Sequence, residues 1–341
     1  MELLHNGSAR SVAMFLAVML IARIISAYPN VKTMYSKRLN DYMYLIDLKP
    51  RGFENFSACY VVKGSKVAIV ESGPRLTVEN LLAGLQEIGI KREEVDYVAV
   101  THIHIDHAGG AGTLLPHLPN AQLLCHKKGA PHLINPERLW ISSLQVLGGI
   151  AEMYGEFEPV PEERILIAKE GMVLDLGKGI DLKVLEVPGH ASHELSFYEK
   201  NSNGVFPGDA AGIYLNKFGV VIINTPPPFH LEKALSSLQR LIQMKPRWLY
   251  YSHFGPASDP VKKLKNYAAR LRLWGEIILE GMKRGESLDV ISERISEKES
   301  TAPDVADYIK NHLIYKERGI ITPNVYGFMG YFRKSMKLAI K

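Results

Sequence analysis

From residue 39 onward the chain alternates short apolar runs with amphipathic stretches. Apolar side chains recur with a period near two over residues 41–48, and β-branched-rich runs fill 56–62 and 66–71. These predict strands, the last two joined as a hairpin through Lys63-Gly64-Ser65. Residues 77–85 carry the i, i+3, i+4 spacing of a helix, with Thr77 as its N-cap and Gly89 as its stop. Residues 95–100 predict the next strand. Strand, helix, strand in that order requires a crossover, so the class is α/β. Further strands are predicted at 121–125, 165–168, 181–187, 195–198, 205–209 and 248–251, with an amphipathic helix at 231–244. Beyond Pro260 the pattern is helical throughout, at 261–284, 287–296, 303–316 and in a tail from Tyr326. Residues 127–160 are helical and apolar on one side, with Trp140, Leu144, Leu147, Tyr154 and Phe157. The segment is longer than a usual connection, so it is either a lid or a peripheral helix pair.

Residues 1–38 read differently and form an N-terminal extension. An apolar run of eleven residues, 12–22, lies between Arg10 and Arg23. A bilayer span needs roughly 20 residues. The run has the length of a signal-peptide core, but no clear A-x-A site follows it. An extra amphipathic helix, or an over-extended start with Met34 as initiator, is the favoured reading. Cytoplasmic placement follows from it, with secretion or membrane attachment as the alternatives. The expected division is therefore 1–38, a core of 39–256, and a helical C-terminal region of 257–341.

Composition narrows the function only a little. At 341 residues, 46% hydrophobic and 23% charged, the chain is an ordinary globular protein. Its net charge of +5 comes from Lys and Arg interleaved with Asp and Glu, so no nucleic-acid partner is expected. Nothing points to a firm membrane partner. A small-molecule substrate is expected, and a homo-oligomer remains open. Cys59 and Cys125 make no disulfide framework and are expected to be buried thiols.

Histidine changes the picture. Thr101-His102-Ile103-His104-Ile105-Asp106-His107-Ala108-Gly109-Gly110 places three imidazoles and a carboxylate directly after a predicted strand. Three more predicted strands run into polar residues: Pro188-Gly189-His190, Gly208-Asp209 and Ser252-His253-Phe254-Gly255. A metal-hydrolase site needs neutral imidazoles and ionised carboxylates gathered from several chain positions. His102 and His104, two apart, point the same way from an extended chain. Asp106 and His107 are adjacent and do not, so they suit a second ion, with Asp209 as the candidate bridge.

With these motifs in this order, the chain resembles the metallo-β-lactamase fold superfamily of metal-dependent hydrolases over residues 39–256. His102-x-His104-x-Asp106-His107 matches its H-x-H-x-D-H signature. The resemblance implies a four-layer αβ/βα sandwich, here with a helical C-terminal extension, and a metal site at one edge. It implies that His102, His104 and His190 hold one ion, that Asp106, His107 and His253 hold the other, and that Asp209 bridges. Two Zn²⁺ are implied, with Fe or Mn as alternatives. Water activated between the ions would attack a thioester, lactone or ester, as in the glyoxalase II and lactonase-like branches. Asp106 would orient that water. Tyr214 or Tyr154 would add a donor, unless each simply packs.

No recognisable glutathione-binding signature is present. A phosphodiesterase or ribonuclease of the same superfamily is an alternative, but 108–188 holds no basic, glycine-rich arm. The cluster Lys262, Lys263, Lys265, Arg270 and Arg272 is its remaining support. An iron-dependent sulfur dioxygenase is the second alternative. Glu71 stands where the superfamily usually ends a strand with aspartate, and is expected to bond the loop backbone. His193 either orients a neighbouring ligand or makes a structural hydrogen bond. His117, His126, His132, His230 and His312 are expected to be ordinary.

Overall fold

A computed structural model of the protein describes residues 34–299, 305, 308 and 321–336. The apolar run at 12–22 and all but two residues of the predicted helix 303–316 lie outside them. The strands in chain order are β1 Ser36–Arg38, β2 Met43–Asp47, β3 Ala58–Lys63, β4 Val67–Val70, β5 Val95–Ala99, β6 Gln122–His126, β7 Ile165–Ala168, β8 Val173–Asp175 and β9 Asp181–Glu186. They continue as β10 Leu195–Glu199, β11 Gly204–Phe206, β12 Ile213–Leu215, β13 Val220–Ile222, β14 Trp248–Tyr251 and β15 Gly255–Ala257.

β1 to β7 form one sheet in sequence order, antiparallel as far as β4 and parallel from β4 to β7. A second sheet runs β15-β14-β11-β10-β9-β8, and β12-β13 form a separate hairpin. Two expected boundaries are corrected. The sheet already includes Ser36–Arg38, paired with β2, so the core begins before residue 39. At the other end β15 pairs with β14 and carries the second sheet to Ala257.

Strand alternation generates the layers. In β3, Cys59 and Val61 face outward to the helix Val78–Glu87, whereas Ala58, Tyr60 and Val62 face inward. The inner faces meet between the sheets, where Tyr60, Val62 and Val70 pack on Val184, Phe197 and Phe206. The second sheet also has two apolar faces: Tyr250 points inward, whereas Leu249 and Tyr251 point outward. The outward pair packs with the helices Leu231–Gln243 and Pro260–Arg284. Helix, sheet, sheet, helix is the αβ/βα sandwich. The helix Ile321–Met336 adds Val325, Phe328 and Phe332 to that outer layer.

Both cysteines are free and buried, and burial pushes the Cys125 thiol up to about 12, which suits packing rather than reactivity. Among the described residues no helix is long and apolar enough to cross a membrane.

Leu81 is fully buried where the first helix meets the sheet. Leu81→Ala should cost about 2–5 kcal/mol. Denaturant unfolding should show that loss.

Candidate metal centre

Four strand ends deliver the polar cluster to one edge of the sandwich. β5 runs into His102 and an extended His104, after which the short helix Ile105–Ala108 turns Asp106 and His107 back toward them. The β9–β10 connection supplies His190, the turn after β11 supplies Asp209, and the β14–β15 turn supplies His253. Gly208 has φ +57, and a Cβ there would meet the Thr101 side chain at 2.8 Å. Only glycine lets this turn bring Asp209 against the first loop.

All seven side chains foreseen as ligands converge. His104 Nδ1 lies 2.9 Å from His102 Nε2 and 3.0 Å from His190 Nε2. His253 Nε2 lies 3.3 Å from both Asp106 Oδ2 and His107 Nε2. Asp209 sits between the two groups, its Oδ2 3.4 Å from His107 Nε2 and 3.7 Å from His190 Nε2. His102–His104–His190 and Asp106–His107–His253 each place their ligand atoms within 4.8 Å of one another, a spacing that could hold an ion.

The outer ring nitrogens test that fit. His190 Nδ1 donates to the Asn224 carbonyl at 3.0 Å, and His253 Nδ1 to the Phe56 carbonyl at 2.9 Å. His107 Nδ1 donates to Glu71 Oε1 at 3.0 Å. His102 Nδ1 donates at 3.0 Å to Thr101 Oγ1, whose own hydroxyl donates to Glu71 Oε1 at 2.6 Å. Each of these rings spends one N–H outside the cluster and turns its other nitrogen inward, where a metal can take the place of a proton. Protein metal sites fix imidazole tautomers in this way. Asp209 Oδ1 is buried, with no hydrogen-bond partner among the described residues. A buried carboxylate oxygen without a donor is costly unless a cation balances it. The donor set therefore fits divalent metal.

Electrostatics divides the imidazoles. Burial drives His102, His104 and His190 below the usual histidine range, so they are neutral and ready to ligate. Burial also opposes charge on His107, but Asp209, Glu71 and Asp106 outweigh it and raise that ring. At His253, burial is likewise outweighed, by Asp106 and Asp209. Burial opposes ionisation of Asp106 and Asp209, yet His107 and His253 hold both carboxyls well below their usual range.

A model of the metallo-beta-lactamase superfamily matches residues 52–253. The chain belongs to that superfamily. The metallo-beta-lactamase fold-containing protein ST1585 of Sulfurisphaera tokodaii is 31% identical over 227 residues, covering 64% of this chain and 80% of that protein. Its crystal structure, described as the first of an archaeal metallo-beta-lactamase superfamily protein, superimposes with a TM-score of 0.62 at 25% identity over 84% of this chain and 98% of that one. A bovine acyl-coenzyme A thioesterase, MBLAC2, is 22% identical over 274 residues, 74% of this chain and 93% of that protein. The hydroxyacylglutathione hydrolase of Aeromonas hydrophila is 27% identical over 164 residues, 46% of this chain and 47% of that protein.

Other residues of this metallo-beta-lactamase superfamily member fall differently from expectation. The Tyr214 ring stacks on Tyr251 at 5.2 Å and takes the Lys263 ammonium over its face at 5.5 Å. Its neighbour Ile213 instead lines the cavity above the cluster, and the Tyr214 ring packs on the outer side of β12. Tyr154 does line that cavity. His193 also lines it, its ring stacked on His102 at 6.3 Å, and its Nδ1 is buried without a hydrogen-bond partner among the described residues. Burial lowers His193 to about 4. Within the basic cluster, Arg270 is committed to Glu299 and the Val221 carbonyl, away from the metal centre.

Two residues with no motif of their own shape the centre. Buried Glu194 accepts the Asp209 N–H at 2.8 Å, and burial together with Asp209 drives its carboxyl well above the usual range. Asn224 Nδ2 donates to Asp209 Oδ2 at 2.6 Å. Glu71 was expected to bond backbone, and its Oε2 does accept the Thr101 N–H at 3.1 Å. It also accepts from His107 and, at 2.9 Å, from the Ser252 hydroxyl. Glu71→Ala orphans these buried donors and should cost on the order of 3 kcal/mol, with Glu71→Gln losing less. Denaturant unfolding measures both; an Ala variant as stable as the parent contradicts this role.

Proposed function

We propose that the chain is a hydrolase of activated acyl compounds, thioesters foremost, working with two divalent ions, zinc first, at the seven-residue cluster. The cavity above the cluster carries this reading. It measures about 620 Å³, has His104, Asp106, His190, Asp209 and His253 on its floor, and is walled largely by apolar side chains. Leu139, Val146, Leu147 and Ile150 supply one wall and Ile213, Ile222 and Ile223 another. The first four lie in the helices Glu137–Leu147 and Gly149–Tyr154, which supports the lid reading of 127–160 over a peripheral pair.

Apolar walls suit an acyl chain better than a phosphodiester backbone. Lys128, His132 and Arg138 also line the cavity and would favour an anionic leaving group. Two relatives are named for thioester substrates, the bovine protein for acyl-coenzyme A and the Aeromonas protein for hydroxyacylglutathione.

Divalent ions bound here would lower the pKa of a water and polarise the acyl carbonyl. His102, His104 and His190, with neutral nitrogens, would hold one ion, and Asp106, His107 and His253 would hold the other. Asp106, held ionised beside His253, would accept a hydrogen bond from a water at the centre and align it. Asp209, steadied by Asn224 and Glu194, keeps the two halves in register. The apolar walls hold the acyl chain and exclude bulk water.

A panel of acyl-coenzyme A thioesters, lactones, aryl esters and bis-p-nitrophenyl phosphate, run with Zn-, Mn- and Fe-loaded protein, tests the reading. Thioesters should be hydrolysed fastest. Each methylene buried adds about 0.8 kcal/mol, so kcat/KM should rise about fourfold per methylene until the cavity is full. Preference for the phosphodiester, or oxygen consumption by the iron form, would overturn it. Asp209→Ala should lower both metal content and hydrolysis; retention of two ions contradicts the bridging role.

The pH response follows from the divided imidazoles. A raised pKa means protonation begins at higher pH, and protonated imidazole cannot ligate. On acidification the His107–His253 half should release its ion first, with the His102–His104–His190 half holding on to lower pH. Metal retained per chain after equilibration at stepped pH should fall in two steps in that order. Release from the His102 half first would contradict the assignment.

A further inference from the structure

In the segment after β13, outside any sheet, Ile223 and Thr225 are buried on either side of half-buried Asn224. Ile223 is 1% exposed and Thr225 is fully buried. Their backbone groups therefore need partners from elsewhere. Asn324, near the start of the helix Ile321–Met336, supplies them. The Thr225 N–H donates to Asn324 Oδ1 in a short hydrogen bond, and Asn324 Nδ2 donates to the Ile223 carbonyl at 3.1 Å. The Thr225 hydroxyl adds a bond to Asn324 Oδ1 at 3.1 Å. One side-chain amide thus pairs the segment on both sides of Asn224, much as a neighbouring strand would. A second feature fixes the approach: a Cβ on Gly327 would fall 1.7 Å from the Thr225 carbonyl oxygen. The helix lies against this backbone at a distance only glycine permits.

Asn224, the residue so clamped, touches the bridging carboxylate and one imidazole of the cluster. Its side-chain N–H donates to Asp209 Oδ2 at 2.6 Å, and its carbonyl accepts from His190 Nδ1 at 3.0 Å. We infer that Asn224 and Asn324 form a positioning relay through which the C-terminal helix sets Asp209 and His190 for metal binding. Asn324 is a positioning residue that acts through Asn224. The C-terminal helix is then part of the metal centre's support as well as a cover over the second sheet. The inference rests on the reading of the cluster as a metal site. Residues that hold metal ligands from behind typically contribute 10–100-fold in metal affinity, and a relay member should fall in that range.

The test is chelator-competition affinity for Zn²⁺ and the visible absorption spectrum of the Co²⁺-substituted full chain, measured for the parent, Asn324→Ala, Asn324→Asp, Asn224→Ala and the double Ala variant. Asn324→Ala should lose about tenfold or more in Zn²⁺ affinity and shift the Co²⁺ bands. Asn324→Asp keeps an acceptor for Thr225, folds if the Ala variant does not, and should recover part of that loss. In the Asn224→Ala background, adding Asn324→Ala should lose less than it does in the parent, because the Asp209 arm is already cut and only the residue 224 carbonyl to His190 remains. A merely structural Asn324 would lower the melting temperature with the Co²⁺ spectrum and Zn²⁺ affinity unchanged, or would add its full loss to that of Asn224→Ala. Either result overturns the relay and leaves the metal reading standing. A parent chain that takes up neither ion overturns the metal reading and the relay with it.

Discussion

The structure is governed by the problem of keeping several imidazoles and two carboxylates dry, close together and aimed at one another. Left alone, buried rings at about 3 Å separations would reorient or protonate. The outer nitrogens prevent this. Fixed acceptors at Phe56, Asn224, Thr101 and Glu71 take one N–H from each ring, so the other nitrogens are held facing inward toward the centre. Burial then keeps His102, His104 and His190 neutral, and the carboxylates of Asp106 and Asp209 remain ionised beside His107 and His253.

The sandwich supplies what that arrangement requires. Two sheets, each apolar on both faces, are rigid platforms, and the loops at one edge inherit their rigidity. Glu71 shows the dependence most directly. It ends β4, yet it reaches the loop after β5 through Thr101 and His107 and the turn after β14 through Ser252. One carboxylate ties the two sheets together behind the cluster. Glu194 does the same for the turn after β11 by taking the Asp209 N–H.

Much of the fold and of the cluster could be read from the residues themselves, for a local reason. His102, His104, Asp106 and His107 lie on one tight loop, and His190, Asp209 and His253 each follow a strand whose apolar pattern is plain. The three-residue strands β1, β8, β12, β13 and β15 are too short to show a period, so one edge of the first sheet and both edges of the second leave no signal in the sequence. The choice between donor and packing for Tyr214 is not legible because alternation in β12 depends on a pairing that spacing does not reveal: Ile213 lies opposite Ile222 on the cavity side, and Tyr214 lies opposite Val221 on the other. Glu194, Asn224 and Asn324 had no motif. Each is a single polar residue whose importance arises from contacts across 15 to 99 positions of chain.

The central claim is that one cluster holds two ions with Asp209 between them. Anomalous scattering at the zinc edge from crystals of Zn-loaded protein tests it most directly. Two peaks are predicted, one among His102, His104 and His190 and one among Asp106, His107 and His253, with Asp209 reaching both. A single peak, or zinc bound elsewhere with these seven side chains empty, would contradict the account.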